Sequence, residues 1–440
     1  MKKAVESAIE AESVGVEAGV EVRSPAKNED FPLTPVPISM RKSIWSLAPV
    51  LIGFTLYSGT LFGGGLVGPN FRFFPDLVGL IIVGNLILGL YAASLGYIAA
   101  KTGLSTVLMA RSSFGEVGSR WVDFILGFTQ IGWYAWGSAL IADLLIQLAG
   151  VPESLNGLLI VIATYLFCIT AYMGYRAMDW VSRLAVPAMI VLMLWSLSIA
   201  WGEVGGFPQL QALQPAEEMS IGAALTIIVG TFISGGTQGT NWSRFAGSGK
   251  TGFWATFSAF FLANGFLIFS GAFCALVYGN EDIVQVMAGQ GLLFWGLLLF
   301  LLNMWTTQDN TIYAFSVAGA HMFRTSKRAL FVLGGATFAL VLAVGGIYEA
   351  LVPYLVLLGT FIPPIGGVVM ADFWLYRRTA GFDLNRVQPS FNWAGVIAYV
   401  MGSAIAYFTP GIKPINGIVA ASLIYWLLSA VLNNGVEVDA

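Results

Sequence analysis

The sequence predicts an all-α integral membrane protein of about twelve transmembrane helices, on three observations. First, hydrophobic residues make up 57% of the chain and charged residues 10%, with a mean hydropathy of +0.77, whereas soluble domains are about a quarter charged. Second, apolar runs of spanning length recur almost to the end of the 440 residues. A spanning helix needs about 20 such residues, so this length holds about twelve with short connections. Third, the basic residues gather on alternate connections, as membrane insertion demands.

Taken in order, residues 1–42 are polar and acidic and then carry Pro32, Pro35 and Pro37. They read as a disordered cytoplasmic tail, without the basic-then-apolar order of a cleaved leader, so the first apolar segment is expected to be retained. The predicted spans are 45–66, 77–100, 119–149, 155–175, 180–202, 220–243, 252–278, 289–321, 328–346, 350–376, 392–408 and 416–433. With the N-terminus cytoplasmic, all of the 21 basic residues except Arg72 and Lys413 fall in the tail or in cytoplasmic connections. An odd miscount of spans would break that pattern, so the charges support the count and an orientation with both termini on the cytoplasmic side of the membrane.

Two spans are interrupted by glycine, GFTLYSGTLFGGGLVG at 53–68 and VGTFISGGTQGTN at 229–241. A broken membrane helix frees backbone groups that lipid cannot satisfy, so it persists where it lines protein or a cavity. Paired interruptions in corresponding spans point to a transport site. The two lie five spans apart. Five is odd, so the second copy must be inverted: residues 43–202 form a first repeat, 220–376 an inverted second repeat, and 392–433 two extra helices. The competing reading makes these glycines close-packing contacts between helices.

The third span contains TQIGWYAWG at 129–137, where Gln130 and Trp133 share a helix face. An indole plane beside an amide suits a planar, hydrogen-bonding solute, although Trp in a membrane helix is commonly packing or an interface anchor. Phe232 and Ser234 at the second interruption offer another aromatic face and a hydroxyl, against the reading of Phe232 as lipid-facing bulk. The eighth span holds NMWTTQDN at 303–310, the densest polar run in any span. Polar residues are costly there and mark pathways. Asn303, Thr306 and Thr307 share one face, and their neutral oxygens, with carbonyls freed in the first span, suit a small monovalent cation. Hydroxyls bonding back to their own helix would explain the threonines alone. Asp309 reads either as a proton carrier or as a structural acceptor.

These stretches resemble the bacterial cytosine permeases of the nucleobase–cation symporter family, from about Arg41 to the last helix. TQIGW at 129–133, FIS at 232–234 and NMWTTQDN carry the likeness. GYIAAKTGLSTVLMARSSFG at 96–115 and PPIGGVVMAD at 363–372 add to it. The resemblance implies two inverted five-helix repeats plus two helices. It implies that Trp133 and Phe232 sandwich a base whose edge bonds to Gln130, Ser234 and Asn303. It also implies a sodium site from the carbonyls of Gly53 and Tyr57 and the side chains of Asn303, Thr306 and Thr307. The chain departs from the family pattern at Gln308, often Asn in cytosine permeases, at Tyr57, where phenylalanine is expected, and in QGTNWSRF.

The reading is a secondary transporter importing a nucleobase, cytosine first, by sodium symport with alternating access, as a monomer. A purine, a hydantoin or a hydroxymethylpyrimidine as cargo, proton coupling, or a membrane receptor for such a base are the alternatives. The residues favour no enzyme and no cofactor beyond the coupling ion. His321 is the only histidine, Cys168 and Cys274 lie in apolar runs, no nucleophile–base pair is present, and no basic patch suggests nucleic acid.

Overall fold

The computed structural model describes residues 31, 34–173, 175–215, 219–323, 325, 327–378, 381–382 and 388–432, with the backbone alone at 148, 175–185, 299 and 321. Most of the predicted tail (1–30, 32 and 33), Arg324 and Arg386 of the basic connections, and Glu217 and Glu218 lie outside them. The described residues from 34 to 432 form one compact unit. Its start is tied down: Val36 N–H donates to Gly103 O (2.9 Å), Arg41 Nη1 to Ala100 O (2.5 Å) and Lys42 N–H to Phe245 O (2.6 Å).

Among the described residues the fold is helical, with a single β-bridge between Lys42 and Ala246. The helices are α1 (Ile44–Thr55), α2 (Ser58–Val67), α3 (Val78–Thr102), α4 (Thr106–Phe114), α5 (Gly118–Ala149), α6 (Asn156–Met173) and α7 (Tyr175–Val204). Then come α8 (Phe207–Ala212), α9 (Ile221–Gly230), α10 (Ile233–Gln238), α11 (Thr240–Ser243), α12 (Gly249–Ser258), α13 (Asn264–Tyr278) and α14 (Ile283–Gly289). The chain closes with α15 (Leu293–Met322), α16 (Arg328–Val344), α17 (Leu351–Phe361), α18 (Pro363–Ala371), α19 (Trp393–Phe408) and α20 (Lys413–Leu432). Among the described residues, six helical stretches are long and apolar enough to cross a bilayer: Phe73–Thr102, Glu153–Met173, Val186–Val204, Gly249–Tyr278, Leu351–Tyr376 and Lys413–Leu432. Two further pairs pass together but are bent, Ile44–Thr55 with Ser58–Asn70 by 56° and Ile221–Gly230 with Ile233–Ser243 by 46°.

The ends of these helices follow local chemistry. Gly103 stops α3 in the left-handed region at φ 74°, which costs a residue without Cβ nothing. Ser220 caps α9 by accepting from Ala223 N–H (3.2 Å). Pro363 and Pro364 open α18, where a missing N–H has no helical acceptor to lose. The connection expected between the second and third spans is itself helical. Every residue of α4 but Arg111 is buried.

Two groups of helices emerge from the packing. One joins α5, α6, α15 and α16; the other joins α1, α2, α3, α9, α12 and α13. The second group is close-packed through glycine. A Cβ on Gly64 would stand 2.2 Å from Ile268 O, and one on Gly271 would stand 2.0 Å from Leu61 O. The glycine run at 63–65 is therefore a packing surface, Gly64 against α13, Gly63 against Thr231 and Gly65 against Glu281 O, and the break in the first span falls upstream of it. A buried polar ladder crosses the same group. Thr60 Oγ1 donates to Asn264 Oδ1 (3.0 Å) and Asn264 Nδ2 to Asn85 Oδ1 (2.8 Å). Such bonds substitute for the hydrophobic drive that lipid removes.

Candidate functional site

The site is built from two helix breaks facing α15 and α5. In the first, α1 ends at Thr55 and Tyr57 takes an extended conformation (φ −120°, ψ 131°) before α2 begins at Ser58. Leu56 N–H donates to Ile52 O (3.1 Å) and Tyr57 N–H turns to Thr55 O (3.0 Å). The carbonyl of Gly53 thereby loses the donor four residues on. The break needs polar partners, and Asn303 supplies them from 245 residues away. Its Oδ1 accepts from Ser58 N–H (2.9 Å) and Ser58 Oγ (2.5 Å), and its Nδ2 donates to Leu56 O (2.6 Å). All three residues are buried, so these bonds replace water that the site excludes.

The second break lies at Thr231–Phe232, with Phe232 at φ −138°. The ring of Phe232 folds over Gly235, where a Cβ would stand 2.4 Å from it. Only glycine leaves that space, and the ring is thereby turned inward.

Between the breaks lies a narrow cavity, with room in this conformation for little more than a water molecule. Gln130, Trp133, Phe232 and Ser234 line it, with Tyr57 and Thr307. The structure thus gathers four of the five residues expected at the base, and the fifth, Asn303, is absent from the lining and fastens the first break. Of the residues expected at the cation, Thr307 and the ring of Tyr57 face this cavity. Gly53 sits in the last turn of α1, and Thr306 Oγ1 donates to Asn303 O (2.8 Å), the backbone bond that the sequence held open for it. Phe54, Thr231, Gly235 and Thr311 complete the wall. Thr311 had a signal, lying one turn beyond Thr307 on the same face. Phe54 had none, because only the break turns it inward.

The walls are largely aromatic; the hydroxyls of Thr231 and Thr311 bond back to Ile228 O and Thr307 O (both 2.7 Å), while other polar groups on them are without partners. Phe232 meets Phe54 edge-on at 5.1 Å, and Phe54 lies 4.3 Å from Trp242. Trp133 meets Tyr354 at 5.3 Å and Trp136 at 6.0 Å. The hydroxyls of Tyr57, Ser234 and Thr307 are buried without a hydrogen-bond partner, and Gln130, 3% exposed, makes no side-chain bond among the described residues. A buried polar group left unsatisfied costs roughly 1–3 kcal/mol. Several around one aromatic cavity mark a place where a polar, flat ligand completes the bonding.

Asp309 lies elsewhere on α15. Its Oδ2 accepts from Thr170 Oγ1 (2.8 Å), which in turn accepts from Trp305 Nε1 (3.0 Å), while Oδ1 is buried without a partner. It is not among the cavity residues. Among the described residues no group of three or more His, Cys, Asp or Glu side chains is placed to hold a metal.

Comparison with known proteins fits this geometry. Residues 35–429 match the family described as permeases for cytosine/purines, uracil, thiamine and allantoin. The cytosine permease of Escherichia coli (strain K12) is 36% identical over 408 residues, which is 93% of this chain and 96% of that protein. The hydantoin permease of Microbacterium maritypicum is 24% identical over 365 residues, 74% of this chain and 73% of that one. Among solved structures, Mhp1, a nucleobase-cation-symport-1 family transporter in a closed conformation with bromovinylhydantoin bound, superposes with a TM-score of 0.78. It does so at 19% identity over 90% of this chain and 94% of that one, a likeness of fold. With nearly its whole length matched and bent helices around an aromatic cavity, the chain belongs to the family of membrane permeases for cytosine and purines, uracil, thiamine and allantoin.

Proposed function

We propose that this permease imports a nucleobase, cytosine first, together with sodium, by alternating access across the inner membrane, with both termini cytoplasmic and the monomer as the working unit. The observation that carries the reading is the cavity itself. Trp133 and Phe232 stand on it as aromatic faces, the Ser234 hydroxyl is buried without a protein partner, and Gln130 lines it with its amide unbonded among the described residues. A base slides between the rings and takes up the hydroxyl and amide bonds at its edge, while water gains little from the aromatic walls.

Twelve spans account for the helices: six long apolar stretches, two bent pairs, the shorter apolar α16 and α19, and the long polar-bearing α5 and α15. The contacts favour paired repeats, since α2 packs on α13 much as α9 packs on α3, five spans later. Sodium is cargo in this reading. The carbonyls of Gly53 and Tyr57 and the hydroxyls of Thr306 and Thr307 offer neutral oxygens, while Asn303 holds the break that presents them. A ligand that draws the two breaks together closes one access route, and its release permits the other.

The test is a thermal-shift titration of purified protein with cytosine, uracil, adenine, hydantoin and hydroxymethylpyrimidine in sodium buffer. Cytosine is expected to stabilise at the lowest concentration. Stabilisation by hydantoin or a purine with none by cytosine would reassign the cargo.

A further inference from the structure

The proposed site uses the main chain of Tyr57, yet its side chain is the group left without a role. The ring is 2% exposed and stands edge-on to both aromatic walls, 5.3 Å from Trp133 at 86° and 6.2 Å from Phe232 at 80°. Room for it is made by Gly59, where a Cβ would stand 2.5 Å from the Tyr57 ring and 3.0 Å from Trp133. As an apolar wall, the ring alone would suffice.

The hydroxyl is the anomaly. Three other tyrosines, the buried Tyr91 and Tyr134 and the half-buried Tyr354, have partners. Tyr91 bonds Thr237 Oγ1 (2.7 Å), Tyr134 donates to Thr164 O (2.5 Å), and Tyr354 donates to Thr129 O (2.5 Å). The Tyr57 hydroxyl is equally buried and has none. Buried polar groups are normally paired, and this one belongs to a residue that lines the cavity beside the unpartnered hydroxyls of Ser234 and Thr307.

We propose that the Tyr57 hydroxyl hydrogen-bonds an exocyclic amine or carbonyl of the bound base and so helps set which base is accepted. The inference rests on the base-transport reading and deepens it. The substrate class is a pyrimidine with polar atoms on more than one edge, since Gln130 and Ser234 already offer bonding groups of their own. The same residue then meets the base through its side chain and the cation through its carbonyl.

The experiment compares wild type with Tyr57→Phe, which keeps the ring and removes the oxygen. Affinities are measured by calorimetry at saturating sodium for cytosine, for 2-hydroxypyrimidine, which lacks the amine, and for 4-aminopyrimidine, which lacks the carbonyl. Tyr57→Phe is expected to weaken cytosine by roughly three- to tenfold, the worth of one neutral hydrogen bond. On one of the two analogues, the one lacking the bonded group, the substitution brings no further loss. Ligand-free Tyr57→Phe is expected to melt at or above wild type, because a stranded hydroxyl is gone. Equal cytosine affinity in the two proteins, or equal losses on all three ligands, overturns the inference and leaves the transport reading standing. A wild type that binds none of the three overturns both.

Discussion

At the scale of single residues, the site separates groups that stack from groups that bond. Trp133→Ala removes one aromatic face. Base–aromatic stacking is worth roughly 1–3 kcal/mol, so affinity is expected to fall about five- to 150-fold, with Trp133→Phe much milder. A purified Trp133→Ala protein that binds cytosine normally in a thermal-shift titration contradicts the stacking role. Thr307→Ala removes a hydroxyl without a protein partner. Its ligand-free melting temperature is expected to match or exceed that of wild type, while base binding loses its dependence on sodium, because two ligands that favour one conformation are reciprocally coupled. Retained sodium dependence would take Thr307 out of the cation site. The residues of this cavity were largely legible in the sequence, because Gln130 and Trp133 share a face and the 303–310 run is conspicuously polar. The partner of each group was not. Nothing local to Asn303 says that its amide is occupied by Leu56 and Ser58.

At the scale of helices, the breaks decide what faces the cavity. The sequence marked the right two spans by their glycines, but the chain bends at Leu56–Tyr57 and Thr231–Phe232. The glycines at 63–65 serve close packing instead, against Thr231, α13 and Glu281. Both readings of glycine thus hold at once in one segment. Periodicity and composition locate a span, but the position of a bend depends on which distant side chain satisfies the freed backbone. Asn303 does so for the first break, and its removal tests this. Asn303→Ala strands the Ser58 N–H and the Leu56 carbonyl, at roughly 1–3 kcal/mol each. The expected result is a clear fall in melting temperature with both base and sodium affinity weakened. A melting temperature equal to that of wild type would show that the break is held by other means. The buried α4 was hidden for a related reason: nine residues between two spans read as a connection until neighbouring helices cover them.

At the scale of the whole molecule, composition was enough to place the chain in a bilayer, because few charges and repeated apolar runs leave no other solvent for it. The sequence grouped the spans by repeat, whereas each packed group of helices draws on both halves of the chain, since which faces touch depends on contacts far apart in sequence. The central claim is that these groups move against each other around a base and a sodium ion bound between the breaks. The most direct measurement is uptake of radiolabelled cytosine into proteoliposomes holding the purified protein, with an inward sodium gradient, with choline in place of sodium, and with a proton gradient alone. Accumulation above equilibrium with the sodium gradient, abolished by choline, is the predicted result. Accumulation driven by protons with choline outside would contradict sodium coupling and move attention to the buried carboxyl of Asp309, and binding without uptake under any gradient would contradict transport itself.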